Sequence, residues 1–265
     1  MVYEQAKEIG FIYALIFFIV LFALWYTKRW KRWMGIALLL VTIAFGFLIF
    51  SPVIPWQFQM LVLRDLQGIG GPLAIAVIGL IVMLTLSFLF GRFYCGYLCP
   101  IGAVQEIGSL APVPKLRLKS KIMPYLFRWA FFFVFIGAGI FLSLGLLQLF
   151  GIRDFFYLIL TTGFFVFFVI IVFSFFLYRP FCRFFCPFGA LASVPAMASR
   201  FKIQRTDQCI DCKKCEQACP TNEAKRADLK AECYLCHRCL DVCPTEGALE
   251  YTKVGSKTLG TVKKE

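Results

Sequence analysis

Eight cysteines of this chain form two runs of identical spacing, each closed by a Cys-Pro pair: Cys209, Cys212, Cys215 and Cys219, then Cys233, Cys236, Cys239 and Cys243. A 4Fe-4S cube needs four thiolates that converge from a compact loop, and in two-cluster proteins the fourth cysteine of each run ligates the other cluster. The spacing therefore predicts two clusters. The first Cys set is Cys209, Cys212, Cys215 and Cys243, and the second Cys set is Cys219, Cys233, Cys236 and Cys239.

Two other chemistries use part of the same pattern. Pairs of the form CxxC also suit tetrahedral zinc, and Cys233-Tyr-Leu-Cys236-His237 matches the attachment sequence of c-type haem. Zinc accepts four ligands in any order, whereas these eight cysteines repeat one spacing. Haem attachment would break the second run. Iron-sulfur clusters are therefore favoured, and we expect His237 to be a solvated side chain.

Four further cysteines lie in a second repeat, Arg-x-x-Cys-x-x-x-Cys-Pro-x-Gly-Ala, at residues 92–103 and 179–190. The members of this CxxxCP set are Cys95, Cys99, Cys182 and Cys186. Residues four apart share one face of a helix, and the following proline tends to end or kink it. We expect four thiols at one centre, with a third iron-sulfur cluster favoured over copper or another soft metal. Redox-active thiols without metal, and ordinary buried cysteines, stay open as alternatives.

The elements that carry these motifs are predicted to be membrane helices. Hydrophobic residues make up 60% of the 265 residues, which places most of the chain in a bilayer. A spanning helix needs roughly 20 apolar residues. Five runs approach or exceed that length, at residues 9–26, 35–50, 72–90, 124–150 and 155–178. The sequence therefore predicts an all-α polytopic domain over residues 1–200, with the first run kept as an anchor.

The distribution of basic residues predicts the orientation in the cell (inner or plasma) membrane. Only Lys7, Arg64 and Arg153 fall on the predicted outer segments, so the positive-inside rule puts the N-terminus outside and the cysteine-rich end in the cytoplasm. The net charge of +13 then reflects a basic face against anionic lipid, and not nucleic-acid binding. All twelve cysteines lie on the cytoplasmic side, where thiols stay reduced, so we expect ligands and not disulfides.

Both CxxxCP copies follow a helix that runs from outside to inside. They predict two halves related by an axis along the membrane normal, with the first helix outside the repeat. Residues 201–252 are predicted to form a small α+β ferredoxin domain of the bacterial two-cluster type, which needs its clusters to fold. Residues 253–265 read as a basic, disordered tail.

The combination of two CxxxCP repeats and a following cysteine doublet resembles the NapH/NosR-type membrane polyferredoxins, over residues 91–251. The resemblance implies a membrane subunit that passes electrons between clusters and a quinol-type pool or a partner redox protein. It also implies that the twelve cysteines take the family's ligand positions. Membrane haem is not expected, because His237 is the one histidine. Ion pumping is not expected either, since four of the apolar runs lack ionisable groups and Arg128 of the fourth run lies near an interface. Nucleotide binding is not expected, because no convincing phosphate-binding loop occurs.

The function expected from these features is electron relay by an integral membrane iron-sulfur protein, an oxidoreductase subunit. One alternative is a copper or metal reductase, or an assembly factor, that uses the CxxxCP thiolates. The other is an accessory donor to a membrane-associated flavoprotein reductase. Expected partners are membrane lipid and an acidic soluble ferredoxin, flavodoxin or flavoprotein. A quinone-type carrier near the outer segment at residues 51–71, and a homo- or hetero-oligomer, are further candidates.

Overall fold

The computed structural model describes residues 2–49, 53–69, 73–118 and 120–255 of the chain, and most of them are helical. Residues 51, 52, 70 and 71 of the predicted outer segment, and the predicted tail from residue 256 onward, lie outside this description. In chain order the elements are α1 (Val2–Tyr26), α2 (Arg32–Ile49), α3 (Val53–Leu63), α4 (Leu66–Ile69), α5 (Leu73–Phe90), a π-helix (Tyr94–Leu98), α6 (Pro100–Ser109), α7 (Ile122–Leu142), α8 (Leu146–Leu149), α9 (Ile152–Phe156), α10 (Thr162–Phe173), α11 (Pro180–Phe184), α12 (Pro187–Met197), β1 (Phe201–Arg205), α13 (Lys214–Ala218), α14 (Arg238–Asp241) and β2 (Leu249–Lys253).

Each of the five predicted apolar runs contains a helix, namely α1, α2, α5, α7 and α10. Within the described ranges, two of them, α5 and α7, are long and apolar enough to cross a membrane. Residues 10–26, 32–48 and 162–173 form shorter apolar helices. The structure therefore confirms a helical N-terminal region, and it does not confirm the count of five spans.

The fourth and fifth runs are interrupted where hydropathy alone predicted continuous helices. Ser143 adopts a left-handed conformation with φ of 52° and ends α7 well before residue 150. The next long helix, α10, begins only at Thr162, where the Thr161 hydroxyl accepts a hydrogen bond from the Phe164 amide at 3.2 Å. The interruptions result from backbone conformation and helix capping, and hydropathy averaged along the sequence does not detect either of these.

The two helices that can cross a membrane, α5 and α7, have side chains that face outward. Ile75 on α5 is 65% exposed and Phe141 on α7 is 85% exposed, and several neighbours on both helices are exposed as well. A core helix of a water-soluble protein would bury such residues. An extended apolar exterior of this kind suits contact with lipid, so the helices indicate membrane association.

The two CxxxCP copies lie in halves with the same order of elements. The first half runs α5, π-helix, α6, and the second runs α10, α11, α12. The helix that follows each motif packs against the other half, α6 on α10 and α12 on α5. This exchange brings both motifs to one place in the molecule.

The C-terminal region is small, mixed α and β, and closed by an antiparallel pair of strands. Its register aligns Phe201 with Lys253 and Arg205 with Leu249, so β1 and β2 tie the two ends of the cysteine-rich segment together. The short helices α13 and α14 pack on each other between the strands.

Helix α1, which lies outside the repeat, holds this C-terminal region against the helices. Trp25 packs edge-on against the Tyr251 ring at 5.7 Å, and Phe22 packs against Phe201 at 5.2 Å. The loop after α1 adds an ion pair between Lys28 and Glu250. The contacts give the first helix a structural role that its position outside the repeat did not reveal.

Candidate metal centres

The second Cys set lines a single cavity of about 240 Å³ in the C-terminal region, with Cys215 of the first set and Tyr178 of the helical region also at its wall. Cys219 follows α13 in extended backbone, and Cys239 lies on α14. Leu235 and His237 are left-handed, with φ of 56° and 68°, and these two reversals coil the loop around the cavity. The structure thus brings together the four cysteines that the spacing assigned to one cluster.

The first Cys set lines a second, smaller cavity, bordered by Ile210, Lys213 and Pro244. Left-handed Asp211 and Lys213, with φ of 50° and 58°, curve this loop. Cys212 is exposed, whereas Cys215 is buried. The four predicted members again line one cavity, and one of them, Cys212, is exposed to solution.

The sulfur atoms of both sets have hydrogen-bond donors of the kind that stabilise cluster ligands. The Glu223 amide donates to Cys219 Sγ at 3.3 Å, and Arg205 Nη2 donates to Cys215 Sγ at 3.5 Å. Burial raises the pKa of Cys236 to about 11 and that of Cys233 to about 12. Buried thiols therefore hold their protons at neutral pH until a metal centre replaces them, and the donor set fits iron-sulfur chemistry.

The CxxxCP set is also brought together, but not on one helical face as predicted. Cys95 lies in the π-helix and Cys182 in α11, whereas Cys99 and Cys186 are extended N-cap residues of α6 and α12. The prolines begin the next helix instead of ending the previous one, because proline suits the first helical position. Cys99 and Cys186 are each close enough to Cys182 and Cys95 for electrostatic interaction.

Two helix N-termini meet at the CxxxCP set. Cys186 Sγ accepts a hydrogen bond from the Gly189 amide at 3.3 Å, and Gln105 Nε2 donates to Cys182 Sγ at 3.4 Å. Burial raises the pKa of Cys182 to about 11, against the opposing effect of Arg179. Helix N-termini and amide donors oppose the effect of burial by stabilising the thiolate, so they would stabilise thiolate ligands of a centre bound here.

The arginine and glycine of the repeated motif interlock the two halves. Arg92 Nη2 donates to the Gly189 carbonyl at 3.2 Å, and Arg179 Nη2 donates to the Gly96 carbonyl at 2.8 Å. A Cβ atom on Gly102 would lie 3.2 Å from Arg179 Nη1, and one on Gly189 would lie 3.3 Å from Arg92 Nη2. Each arginine thus closes over the glycine of the opposite copy, which explains why both residue types repeat.

Each of these buried arginines is paired with a buried carboxylate. Arg92 Nη1 donates to Glu232 at 3.0 Å, and Arg128 Nη1 donates to the same carboxylate at 2.9 Å. Arg179 donates to Glu106 at 2.8 Å. Burial alone would raise the pKa of Glu232, but Arg128 and Arg92 outweigh it and lower that pKa.

The pKa of Glu106 is lowered in the same way, because Arg179 and Arg238 outweigh the effect of burial. Sequence reasoning missed both carboxylates. A signal was available, since acidic residues are scarce and Glu232 directly precedes the cysteine run.

The surroundings of His237 differ from the prediction. His237 is not a solvated side chain, because its Nδ1 pairs with Asp241 at 2.7 Å and its ring packs against Trp25. Among the described residues, no group of three or more His, Cys, Asp or Glu side chains converges on the position of one metal ion.

The fold and these cysteine groups define an iron-sulfur protein, and comparison with known families agrees. A 4Fe-4S binding domain family matches residues 72–119 and again residues 159–206, the two segments that contain the CxxxCP copies. A second 4Fe-4S binding domain family matches residues 203–222. The domain matches indicate 4Fe-4S clusters as cofactors.

Three curated relatives share part of this chain. It is 29% identical to the putative electron transport protein YccM of Escherichia coli over 56% of its own length and 46% of that protein. It is 31% identical to protein NirI of Paracoccus denitrificans over 52% of the chain and 22% of the relative. It is 32% identical to the regulatory protein NosR of Pseudomonas aeruginosa over 49% of the chain and 20% of the relative.

The matched part of the chain thus spans less than half the length of these three relatives. No solved structure matches the chain. The matches confirm the resemblance to the NapH/NosR-type polyferredoxins. They support an iron-sulfur electron-transfer role.

Proposed function

We propose that this chain is an integral membrane iron-sulfur protein that relays single electrons between a soluble carrier and a redox site at the CxxxCP set. The observation that carries the proposal is the grouping of all twelve cysteines into three sets. Two sets line separate cavities in the C-terminal region, and the third lies where the halves of the helical region meet. Stepwise electron transfer requires several redox centres, and each Cys set could supply the ligands of one centre.

The proposed ligands follow these groups. The first and second Cys sets each hold one 4Fe-4S cluster, and the CxxxCP set holds a third centre. Bound clusters supply reversible one-electron chemistry. The chain itself provides the thiolates and donates hydrogen bonds such as that from the Glu223 amide to Cys219. Such donors, with burial and local charge, tune reduction potentials.

The membrane arrangement that we propose has five helices, with the N-terminus outside and residues 201–252 in the cytoplasm. The exposed apolar faces of α5 and α7 support it, together with the shorter apolar helices at residues 10–26, 32–48 and 162–173. Residues 1–200 then form the membrane domain, and residues 253–265 form a basic tail. The soluble partner is an acidic one-electron carrier, because the cytoplasmic face is basic.

The decisive test is metal analysis of the purified full-length protein under anaerobic conditions. Iron, sulfide, copper and zinc are measured alongside EPR spectra, in the wild type and in the Cys95→Ala/Cys182→Ala double variant. Iron above about eight atoms per chain, falling to about eight in the variant, supports three clusters. The matched control is Cys209→Ala/Cys219→Ala, which should lose ferredoxin-type signals and keep the centre at the CxxxCP set.

Other outcomes would redirect the function. About eight iron atoms in both proteins, with copper bound only by the wild type, would contradict the third cluster and favour metal reduction at the CxxxCP set. Zinc in place of iron throughout would contradict electron transfer altogether, because zinc has no redox chemistry.

A further inference from the structure

The two cysteine runs have the same backbone but face different surroundings. Asp211 and Leu235 occupy equivalent places, with φ of 50° and 56°, and Lys213 and His237 match in the same way at 58° and 68°. The first run is open, because Ile210 is 67% exposed. Its equivalent in the second run, Tyr234, is 2% exposed. Two loops with the same backbone conformation therefore differ in exposure: the first is exposed at Ile210, and the second is buried at Tyr234.

Tyr234 is buried between the two arginines that the CxxxCP motifs repeat. Its ring lies 4.6 Å from the guanidinium carbon of Arg92 and 4.8 Å from that of Arg179. Its hydroxyl donates to Glu232 at 3.3 Å. Two cation-π contacts, together with a hydroxyl bound to a carboxylate, hold the ring in one orientation.

Contacts of the second run also reach the CxxxCP set directly. The Tyr234 carbonyl lies so close to Gly96 that a Cβ atom there would collide with it, and Gly96 follows Cys95 in the π-helix. Tyr97 donates from its hydroxyl to the Leu235 carbonyl at 2.8 Å. Arg92, which makes a cation-π contact with the Tyr234 ring, also donates to Cys95 Sγ at 3.8 Å. Tyr234 therefore lies between Cys233 and the CxxxCP set.

We propose that Tyr234 is the positioning residue that joins the second Cys set to the CxxxCP set, so that electron relay has a fixed order. The first Cys set is the outer contact for the soluble acidic carrier, and the second Cys set is the inner relay. Each transfer moves one electron, oxidising one centre as the next is reduced, with no bond made or broken. The inference rests on the proposed function and adds the order of its centres.

The order can be read from the access of water to each cluster. Reduced holoprotein in lipid nanodiscs is examined by EPR power saturation, with and without a dysprosium-EDTA complex in the buffer. One ferredoxin-type signal should respond strongly to the complex and the other should not. Ile210→Lys should raise the midpoint potential of the responsive signal only. Arg179→Gln should lower that of the unresponsive signal, because it removes a buried positive charge beside Tyr234.

Tyr234 itself is tested with a conservative pair of variants. Tyr234→Phe keeps the ring between Arg92 and Arg179 and should transfer electrons from the second set to the CxxxCP set at the wild-type rate. Tyr234→Leu should lose rapid transfer while it keeps its iron and sulfide. The control is Ile210→Leu, at the equivalent exposed position, which should leave this step unchanged.

Results that overturn the order differ from those that overturn the proposed function. Equal response of both signals to dysprosium would overturn the order of the centres. Unchanged transfer in Tyr234→Leu would overturn the positioning role of Tyr234, and either result would leave iron-sulfur electron transfer intact. Absence of iron and sulfide from the purified wild type would defeat the proposed function. Two clusters with no redox change at the CxxxCP set would contradict the proposed redox site in the membrane domain. The dysprosium experiment would still show which of the other two Cys sets faces solution.

Discussion

Glu232 is the residue on which the junction between the two regions depends most. Its carboxylate accepts hydrogen bonds from Arg92 and Arg128, and both arginines are almost fully buried. Pairs of this kind add little over a well-packed apolar alternative, but removing one partner leaves an uncompensated buried charge. The contribution of Glu232 to stability is therefore best measured by removing its carboxylate.

Glu232→Gln should lower the free energy of unfolding by about 3–5 kcal/mol, because it leaves two buried cations without a carboxylate. Denaturant titration of the detergent-solubilised holoprotein measures the loss. The control is Glu250→Gln, whose partner Lys28 is 68% exposed, and we expect a loss of about 0–1 kcal/mol there. Equal losses in the two variants would show that the Glu232 network does not stabilise the fold.

The same carboxylate predicts a pH dependence. Because the folded pKa of Glu232 is lowered, its contribution is complete above the unfolded value of about 4.3 and is lost as the pH falls through the lower folded value. The stability difference between the wild type and Glu232→Gln should therefore be constant at neutral pH and should shrink below about pH 4. A difference that persisted there would rule out a charged Glu232 as its source.

The motif glycines should not tolerate a methyl group equally. A Cβ atom on Gly102 would lie 2.7 Å from the Cys95 carbonyl, whereas the nearest atoms to one on Gly189 are 3.3 Å away. Gly102→Ala should cost about 1–3 kcal/mol through overpacking, and Gly189→Ala should cost less. Gly137→Ala, which meets nothing within 4 Å, is the matched control and should cause no loss. Thermal unfolding with iron retention measures all three.

At this scale the sequence predicted ligands better than it predicted their surroundings. Cysteine spacing is a local property, so the groups that line the two cavities could be named in advance. The partners of Arg92 and Arg179 could not, because they come from the opposite half and from the C-terminal region. The repeated Arg and Gly were visible in the sequence, but their contact depends on how the halves pack.

At the scale of elements, α1 holds the C-terminal region through aromatic contacts. Trp25 is buried among Trp30, Phe93, His237 and Tyr251. Trp25→Ala should therefore cost about 3–5 kcal/mol and loosen that region. Limited proteolysis should release a C-terminal fragment faster from this variant than from the wild type. Trp33→Ala, at a position that is 65% exposed, serves as the control and should match the wild type.

Element boundaries were predictable where proline or cysteine spacing marks them, and less so elsewhere. The positions of α5 and α7 follow from apolar composition. The end of α7 at Ser143 and the late start of α10 depend on a left-handed residue and a threonine cap within otherwise apolar sequence. The π-helix at Tyr94–Leu98 left no pattern that distinguishes it from an ordinary helical turn.

At the scale of the whole molecule, the net positive charge predicts how a soluble electron carrier is recognised. With a net charge of +13, the chain should be reduced faster by an acidic flavodoxin or ferredoxin at low salt than at high salt. Stopped-flow reduction of the holoprotein over a series of ionic strengths measures the effect. A small neutral reductant is the control and should show no such slope. An equal slope for both reductants would contradict electrostatic docking.

The Glu232 network also has a consequence for biosynthesis. Glu232 is synthesised 140 residues after Arg92 and 104 residues after Arg128, yet it is the carboxylate that both arginines share. While translation proceeds, the helical region holds two cations whose partner has not yet been made. The next residue in the chain is Cys233, so the arginines gain their partner as the second Cys set is completed. The final packing of the helical region around Arg92 and Arg128 therefore waits for the synthesis of the C-terminal region that carries Glu232.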